Sequence, residues 1–268
     1  MKRILWSIFT IVVMNACKNN ETNITDSSTE NATAINIPAN LPYTIVNVYP
    51  HDTAAYTQGL EFHNGFLYEG TGLNGESFIR KAELSSSKTL QRTDLAKEYF
   101  GEGITVFNNK IYQLTWQNHK VFVYELKTFK KIKELDWAYE GWGLSNNGKQ
   151  LIITTGSSNV YFVNPENLQI EKTLSVYDNN GPLANLNETE LVNGVLYANV
   201  YQSDRIVRID TASGAVTAQL DLSNILEKNN QPIYPNRDYL NGIAYDSGKQ
   251  VLYVTGKKWP ALFALKLN

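Results

Sequence analysis

A short pattern occurs five times along the chain and constrains the fold more than any other feature. In each copy a leading residue is followed by a turn rich in Asn and Gly and then by a strand rich in Val, Ile, Leu and Tyr. Four of the five copies have Gly directly after the leading residue. The leading residues are Gln58, Glu102, Trp142, Asn187 and Asn241. They stand about 40 to 55 residues apart, which is the spacing of blades in a β-propeller.

The strands that follow each hairpin indicate how the ring closes. Third strands are expected in all five copies, at residues 77–84, 120–126, 159–163, 205–210 and 261–267. Fourth strands are expected in the first four copies, at residues 90–94, 131–135, 169–174 and 215–220. The fifth copy lacks a fourth strand, whereas an alternating strand at residues 43–49 belongs to no copy. Pairing these two would close the ring and remove two exposed strand edges.

The pattern therefore predicts an all-β domain at residues 42–268, a five-bladed β-propeller whose ring is closed by the N-terminal strand completing the last blade. The first strand of each blade lines the central channel in such a fold, so the leading residues should meet at one mouth of the channel. An insertion at residues 224–239 is expected to arch over one rim.

The N-terminal residues resemble an export signal followed by a linker. Lys2 and Arg3 precede an apolar run that is too short to span a bilayer and that ends at Ala16-Cys17, which resembles the lipobox of bacterial lipoproteins. We expect residues 1–17 to be a lipoprotein signal peptide, with Cys17 lipidated and inserted in a bilayer. Cys17 is the only cysteine, and a secreted protein with an incidental cysteine is the alternative.

The linker and the overall composition complete the expected organisation. Residues 18–41 are rich in Asn, Thr, Ser and Glu, and they should form a flexible tether. The protein is expected in the bacterial cell envelope as an anchored monomer, either periplasmic or surface-exposed. Its 24 basic and 26 acidic side chains give a net charge of −2, which provides no basis for binding nucleic acid.

The sequence offers little support for a metal site. The three histidines, His51, His63 and His119, do not have the spacing of metal ligands, so a catalytic zinc is not expected. Several carboxylates near the ring leave room for a calcium ion, although no loop requires one. These carboxylates are Glu69, Glu140, Glu188 and Glu190.

A candidate binding pocket follows from the predicted ring. Residues that end the second strands should lie at the same mouth of the channel as the leading residues. The predicted pocket has an aromatic wall, one acid, one base and two amides. Its residues are Gln58, Glu102, Trp116, Trp142, Asn187, Tyr201 and Lys257.

Glu102 is the residue in this pocket that could carry chemistry. Partial burial among aromatic rings would raise its pKa toward neutrality, as a proton shuttle requires. Lys257 could orient Glu102 or bind a substrate carbonyl, and Asn187 could donate to a developing oxyanion. Structural roles stay open: Glu102 could cap a loop or pair with Lys257, and Lys257 could be a solvated lysine. Asn187 could form a turn, and the tryptophans could pack between blades.

Seven motifs, in order along residues 43–267, resemble the plant and bacterial glutaminyl-peptide cyclotransferases. They lie at residues 56–60, 101–105, 112–116, 140–144, 186–188, 240–244 and 254–260. The resemblance implies a five-bladed propeller that converts N-terminal Gln of peptides and proteins to pyroglutamate and releases ammonia, without a cofactor or catalytic metal. It places the catalytic glutamate at Glu102 and the other pocket positions at Gln58, Trp116, Trp142, Asn187 and Lys257.

Two residues depart from the family pattern, and other functions stay open. Tyr56 stands where the family often has Phe, and Tyr201 stands where it often has Trp; both keep an aromatic ring and add a hydroxyl, which bears on the fit of the substrate more than on the type of reaction. The alternative is a non-catalytic surface propeller that binds peptides or glycans, because propellers host many functions. A metal-dependent, lactonase-like propeller is a third interpretation.

Overall fold

The computed structural model describes residues 37–268. The predicted signal peptide, the predicted lipidation site Cys17 and most of the predicted tether lie outside the described residues. Within residues 37–268, no helix is long and apolar enough to cross a membrane.

The described part of the chain folds into five antiparallel sheets, each formed mainly by consecutive strands. The two strands that precede the first blade are β1 (Ala39–Asn40) and β2 (Tyr43–Pro50). The strands of blade 1, from the channel outward, are β3 (Thr57–His63), β4 (Phe66–Thr71), β5 (Phe78–Glu83) and β6 (Thr89–Asp94). Those of blade 2 are β7 (Gly101–Phe107), β8 (Lys110–Thr115), β9 (Lys120–Glu125) and β10 (Lys131–Asp136).

The remaining blades repeat this arrangement. The strands of blade 3 are β11 (Leu144–Asn146), β12 (Leu151–Thr154), β13 (Asn159–Val163) and β14 (Ile170–Ser175). A small hairpin follows, formed by β15 (Tyr177–Asp178) and β16 (Gly181–Pro182). The strands of blade 4 are β17 (Leu186–Val192), β18 (Val195–Val200), β19 (Arg205–Ile209) and β20 (Val216–Asp221). After helix α1 (Ile225–Lys228), blade 5 contains β21 (Leu240–Asp246), β22 (Val251–Gly256) and β23 (Ala261–Leu267).

The ring closes as the sequence predicts. Strand β2 pairs antiparallel with β23, from Tyr43 opposite Leu267 to Pro50 opposite Ala261, and so becomes the outer strand of blade 5. Strand β1, which falls within the predicted tether, pairs in parallel with β20 of blade 4. The segment at residues 39–50 therefore joins the outer edges of two neighbouring blades, and within residues 37–268 the first strand begins at Ala39 rather than at residue 42.

Apolar residues fill the interfaces between neighbouring blades. Five clusters of buried side chains lie between successive pairs of blades and between the last blade and the first. Both faces of the middle strands are therefore covered, as in β12, where all four residues are buried. This burial explains why the strands are close to continuous in apolar residues instead of alternating.

The Gly that follows the leading residue allows neighbouring inner strands to approach one another. A Cβ atom at Gly59 would lie 2.3 Å from the backbone nitrogen of Ile104 in the next blade. A Cβ atom at Gly143 would lie 2.2 Å from the carbonyl oxygen of Asn187. Since real Cβ contacts are never this short, any side chain at these positions would push the blades apart.

Blade 4 has Glu188 where the other four blades have glycine. The side chain is fully buried, and its carboxylate accepts hydrogen bonds from the backbone nitrogens of Leu60, at 3.2 Å, and Ile243, at 2.6 Å. Burial raises the pKa of Glu188 well above its ordinary value, although these two hydrogen bonds lower it. Glu188 of blade 4 thus connects its blade to blades 1 and 5 through these hydrogen bonds.

A buried ionic network reinforces the junction between the first and last blades. Arg80 donates to Glu69 Oε2 from Nε at 2.7 Å, and its Nη2 lies 2.6 Å from the same oxygen. His51 contacts Glu69 Oε1 through Nε2 at 3.0 Å and the carbonyl oxygen of Trp259 through Nδ1 at 2.9 Å. Burial alone would raise the pKa of Glu69, but Arg80 and His51 hold it well below its ordinary value.

We predict that Glu69→Gln lowers the free energy of unfolding by about 3–5 kcal/mol near neutral pH, because Arg80 and His51 remain buried without their counter-charge. The depressed pKa means that ionised Glu69 stabilises the fold fully above the pKa of an unfolded glutamate, about 4.3. This stabilisation is lost as the pH falls toward the folded value. Urea unfolding at a series of pH values should therefore give a difference between variant and wild type that shrinks in acid.

The matched control is Glu134→Gln, because Glu134 pairs with Lys120 and Lys131 at the surface. Exposed ion pairs contribute at most about 1 kcal/mol. A loss in Glu69→Gln no larger than the loss in Glu134→Gln would contradict the proposed importance of the network.

Candidate active site

A cavity of about 240 Å³ lies at the mouth of the channel where the leading residues meet. All seven residues of the predicted pocket line it, together with two that the sequence analysis did not place there. Its nine residues are Tyr56, Gln58, Phe100, Glu102, Trp116, Trp142, Asn187, Tyr201 and Lys257. The structure thus brings the predicted residues together, while the roles assigned to them stay predictions.

The two additional lining residues, Tyr56 and Phe100, occupy equivalent positions in the repeat. Each stands two residues before a leading residue, Gln58 in one blade and Glu102 in the next. Their rings contact each other edge to face, with centroids 6.2 Å apart. Their shared position in the repeat could therefore have identified both residues from the sequence.

Three leading residues form a chain of hydrogen bonds at the base of the cavity. Asn241, which does not line the cavity, donates from Nδ2 to Gln58 Oε1 at 3.1 Å and to the carbonyl oxygen of Thr57 at 3.0 Å. Gln58 in turn donates from Nε2 to Glu102 Oε1 at 3.2 Å. This chain fixes the amide of Gln58 so that it presents a donor to the glutamate.

Glu102 is a buried acid with a strongly perturbed pKa. Only 4% of the residue is exposed, and burial raises the pKa of its carboxyl well above the ordinary value. The ammonium of Lys257 opposes this increase, and the negative charge of Glu140 adds to it. A carboxyl with a raised pKa can exchange protons near neutral pH, as general acid–base catalysis requires.

Lys257 presents its ammonium group between two tyrosine rings. Nζ lies 4.8 Å from the ring centroid of Tyr56 and 4.8 Å from that of Tyr201, within the range of cation–π attraction. No side-chain hydrogen bond or ion pair of Nζ occurs within the described residues. Burial lowers the pKa of Lys257, whereas Glu102 and Asp238 raise it. The ammonium is therefore available to a ligand in the cavity.

Asn187 contributes an amide that lacks a partner. The residue is 3% exposed, and its Oδ1 has no hydrogen-bond partner among residues 37–268. Its backbone is held in place, because its carbonyl oxygen accepts from Thr154 Oγ1 at 2.8 Å. Since buried polar groups normally have partners, this oxygen is available to accept a hydrogen bond from a ligand in the cavity.

Aromatic rings form the wall of the cavity, mostly in edge-to-face contact. Phe100 packs against Trp116 with ring centroids 5.5 Å apart, and Trp142 packs against Tyr201 at the same distance. Gly156 supports Trp142, because a Cβ atom there would lie 2.6 Å from the indole. These contacts give a largely apolar enclosure around the polar groups at its base.

The end of the predicted insertion contacts this wall. Tyr56 donates its hydroxyl hydrogen to Asp238 Oδ2 at 2.8 Å, and Trp259 Nε1 donates to the carbonyl oxygen of Asp238 at 2.8 Å. The ring of Tyr239 packs edge-on against Tyr201, with centroids 5.5 Å apart. The hydroxyl of Tyr56 thus helps to hold the insertion on the cavity.

The carboxylates that left room for calcium have other partners. Glu69 binds Arg80, Glu188 accepts backbone hydrogen bonds as described above, and Glu190 accepts one from Tyr245. Glu140 binds the indoles of both cavity tryptophans. Within the part of the chain that the structure describes, no group of three or more His, Cys, Asp or Glu residues is arranged to hold a metal ion.

The fold and the cavity together define a five-bladed propeller with an aromatic-walled cavity around a buried carboxyl. The model of the family described as glutamine cyclotransferase matches residues 18–267. The glutaminyl-peptide cyclotransferase of Arabidopsis thaliana is 37% identical over 226 residues, which cover 84% of this chain and 71% of the plant protein. The chain therefore belongs to the glutamine cyclotransferase family.

Solved structures agree with this assignment. The crystal structure of Myxococcus xanthus glutaminyl cyclase is similar, with a TM-score of 0.79 and 31% identity, and the match covers 86% of this chain and 98% of that one. The β-propeller domain of Cps50 (Swd1) from Myceliophteria thermophila has a TM-score of 0.50 at 8% identity, over 85% of this chain and 100% of that one. The second similarity shows the fold alone.

We predict that Lys257→Met raises the pKa of Glu102 further, because the substitution removes the positive charge that favours the ionised carboxyl. The protonated carboxyl of Glu102 can be followed by its infrared carbonyl band and assigned by its loss in Glu102→Gln. The midpoint of its titration should move to higher pH in Lys257→Met. Lys258→Met, which removes the same charge from the next residue, serves as the control, and an equal shift in both variants would contradict the prediction.

Proposed function

We propose that this protein is a glutaminyl-peptide cyclotransferase that converts N-terminal glutamine of peptides and proteins to pyroglutamate and releases ammonia. The observation that carries the proposal is a buried carboxyl of raised pKa, Glu102, which shares one aromatic cavity with the free ammonium of Lys257 and the free amide of Asn187. Membership of the glutamine cyclotransferase family supports the same activity.

The size of the cavity suits one glutamine residue. At about 30 Å³ for each water in the liquid, the volume of about 240 Å³ corresponds to roughly eight waters. A glutaminyl residue has a similar number of non-hydrogen atoms. The cavity therefore accommodates the N-terminal residue, and the rest of a peptide extends through the open mouth.

Cyclisation requires the substrate's α-amine to attack its own γ-carboxamide carbon. A bond forms between the α-nitrogen and this carbon, and the bond from the carbon to the amide nitrogen then breaks. Glu102 in its ionised form takes a proton from the attacking amine and returns a proton to the departing nitrogen, which leaves as ammonia. One carboxyl with a pKa near the working pH can serve as base and then as acid.

The other polar groups of the cavity stabilise and align the reacting amide. Lys257 Nζ and the Asn187 amide donate hydrogen bonds to the oxygen that becomes negative in the tetrahedral intermediate. Gln58 holds the carboxyl of Glu102 in position through its hydrogen bond and also contacts the substrate. Trp116, Trp142 and Tyr201 enclose the glutaminyl side chain, favour the folded conformer and exclude water.

The proposal also includes the enzyme class and the location of the protein in the cell. The reaction moves an acyl group from the amide nitrogen to the α-nitrogen, so we assign an aminoacyltransferase of the metal-independent type. The residues at 1–17 support a monomeric lipoprotein anchored through Cys17 to a membrane of the bacterial cell envelope. The domain would then face peptide substrates in the periplasm or at the cell surface.

The activity is tested with a short peptide that begins with glutamine, by following the loss of ammonia with mass spectrometry. Glu102→Gln should reduce kcat/KM at least about 10²-fold, the range expected for loss of a general acid–base group. The thermal unfolding midpoint should stay at or above that of the wild type, because the amide removes a buried ionisable carboxyl without changing its shape. Turnover near that of the wild type would remove Glu102 from the mechanism.

Two controls accompany this experiment. Glu98→Gln makes the same substitution at an exposed position and should leave the rate unchanged. Excess EDTA should also leave the wild-type rate unchanged, and a loss that an added divalent ion restores would exclude the metal-independent assignment. If the well-folded wild type gives no cyclisation above the spontaneous rate, the non-catalytic peptide-binding or glycan-binding propeller replaces the proposal.

A further inference from the structure

Glu140 connects two walls of the cavity through one carboxylate oxygen. Trp116 Nε1 donates to Glu140 Oε2 at 2.9 Å, and Trp142 Nε1 donates to the same oxygen at 3.1 Å. The second oxygen, Oε1, accepts from Gln117 Nε2 at 3.2 Å. Trp116 follows β8 of blade 2, whereas Trp142 precedes β11 of blade 3, so the carboxylate bridges two blades at the cavity mouth.

The loop that contains Glu140 is held by its backbone, independently of this carboxylate. Gly141 donates its N–H to the carbonyl oxygens of Thr115 and Trp116, each at 3.2 Å. A Cβ atom at Gly141 would lie 2.7 Å from Leu114 Cβ. The loop therefore lies tightly against β8, and a change in the Glu140 side chain should alter the indoles more than the course of the chain.

The indoles need the carboxylate for a defined orientation. Their contacts with other rings, Trp116 with Phe100 and Trp142 with Tyr201, are edge-to-face contacts, which fix an orientation less strictly than a hydrogen bond does. A hydrogen bond to an ionised acceptor is directional and about twice as strong as one between neutral groups. In the ionised state the carboxylate also accepts from Gln117, and these three hydrogen bonds lower its pKa against the effect of burial.

We propose that Glu140 is a positioning residue of the substrate site, because its carboxylate orients Trp116 and Trp142 and thereby shapes the enclosure for the glutaminyl side chain. The inference rests on the proposed function, and it adds a residue that does not line the cavity. Glu140 acts on the substrate site through the two indoles and does not touch the reacting atoms; its charge also adds to the raised pKa of Glu102, so kcat is compared at the pH optimum of each variant. Its loss should therefore weaken substrate binding and leave the chemical step nearly unchanged.

The test compares Glu140→Ala, Glu140→Gln and the control Glu98→Ala, an exposed carboxylate that contacts neither indole. Glu140→Ala should raise KM about 30-fold, the factor that corresponds to the loss of two hydrogen bonds at about 1 kcal/mol each, while kcat at its pH optimum changes less than about 3-fold. Glu140→Gln retains an acceptor oxygen and should restore most of the affinity. Glu98→Ala should match the wild type in both constants.

A background without indole N–H groups separates this mechanism from a general structural effect. Trp116→Phe and Trp142→Phe together keep aromatic walls but remove both donors. In that background Glu140→Ala should have little further effect on KM. An equal increase of KM in both backgrounds would overturn the proposal, and so would a Glu140→Gln variant as impaired as Glu140→Ala.

Fluorine NMR of protein labelled with fluorotryptophan tests the positioning without using activity. The signals of Trp116 and Trp142, assigned from the single Trp→Phe variants, should shift or broaden in Glu140→Ala and return toward wild-type positions in Glu140→Gln. The signal of Trp259, whose indole donates to the carbonyl oxygen of Asp238 and not to Glu140, should stay in place. Unchanged signals of Trp116 and Trp142 would overturn the proposal even if the wild type proved inactive on peptides, and their movement would support it in that case too.

Discussion

The close approach of five inner strands around one axis is the constraint on which the rest of the structure depends. Gly59, Gly103 and Gly143 each lie where a Cβ atom would be within about 2.5 Å of the neighbouring blade's backbone, so these positions cannot carry side chains. The residue just before each of them stands at the rim of the channel, where side chains from all blades converge. The repeat therefore concentrates sequence variation at one mouth of the ring, and this mouth contains Gln58, Glu102, Trp142 and Asn187. A site made of single residues from several rigid blades is well suited to holding a small group in one orientation.

Much of the fold and most of the site could be predicted, because positions in the repeat determine both the blades and the residues that meet at the channel mouth. The number of blades, their closure by the strand at residues 43–49 and the seven cavity residues all follow from positions in the repeat. The partners within the site could not be predicted in this way. That Asn241 orients Gln58, or that one oxygen of Glu140 accepts from two indoles, depends on side-chain geometry between blades, which spacing along the chain does not encode. The pairing of Ala39–Asn40 with blade 4 was missed for a related reason, since a two-residue strand in a polar segment has no hydrophobic pattern.

Two buried glutamates, Glu69 and Glu102, show how neighbouring charges determine whether the pKa of a buried carboxyl is lowered or raised. Glu69 is fully buried, and Arg80 and His51 hold its pKa low, so it stays ionised and stabilises the junction of the ring. Glu102 is nearly as buried, but Gln58 supplies a neutral hydrogen-bond donor and Lys257 offsets burial only in part. Its pKa therefore moves in the opposite direction. Burial with a raised pKa does not by itself identify a proton shuttle, because Glu188 is also buried with a raised pKa; Glu102 differs from Glu188 in lining the cavity.

The free groups in the cavity have an energetic consequence that bears on function. Asn187 lacks a partner for its buried oxygen, and Lys257 is held by tyrosine rings without an ion pair among the described residues. Each such group destabilises the folded protein by the desolvation that remains uncompensated, on the order of 1–3 kcal/mol. A ligand that donates a hydrogen bond to Asn187 Oδ1 and accepts one from Lys257 Nζ would recover this free energy, and most strongly when the oxygen that faces Lys257 carries negative charge. An amide oxygen gains such charge only as the tetrahedral intermediate forms. The arrangement should therefore bind the transition state more tightly than the substrate, which is the condition for a catalytic site and not one that a simple peptide-binding site has to meet.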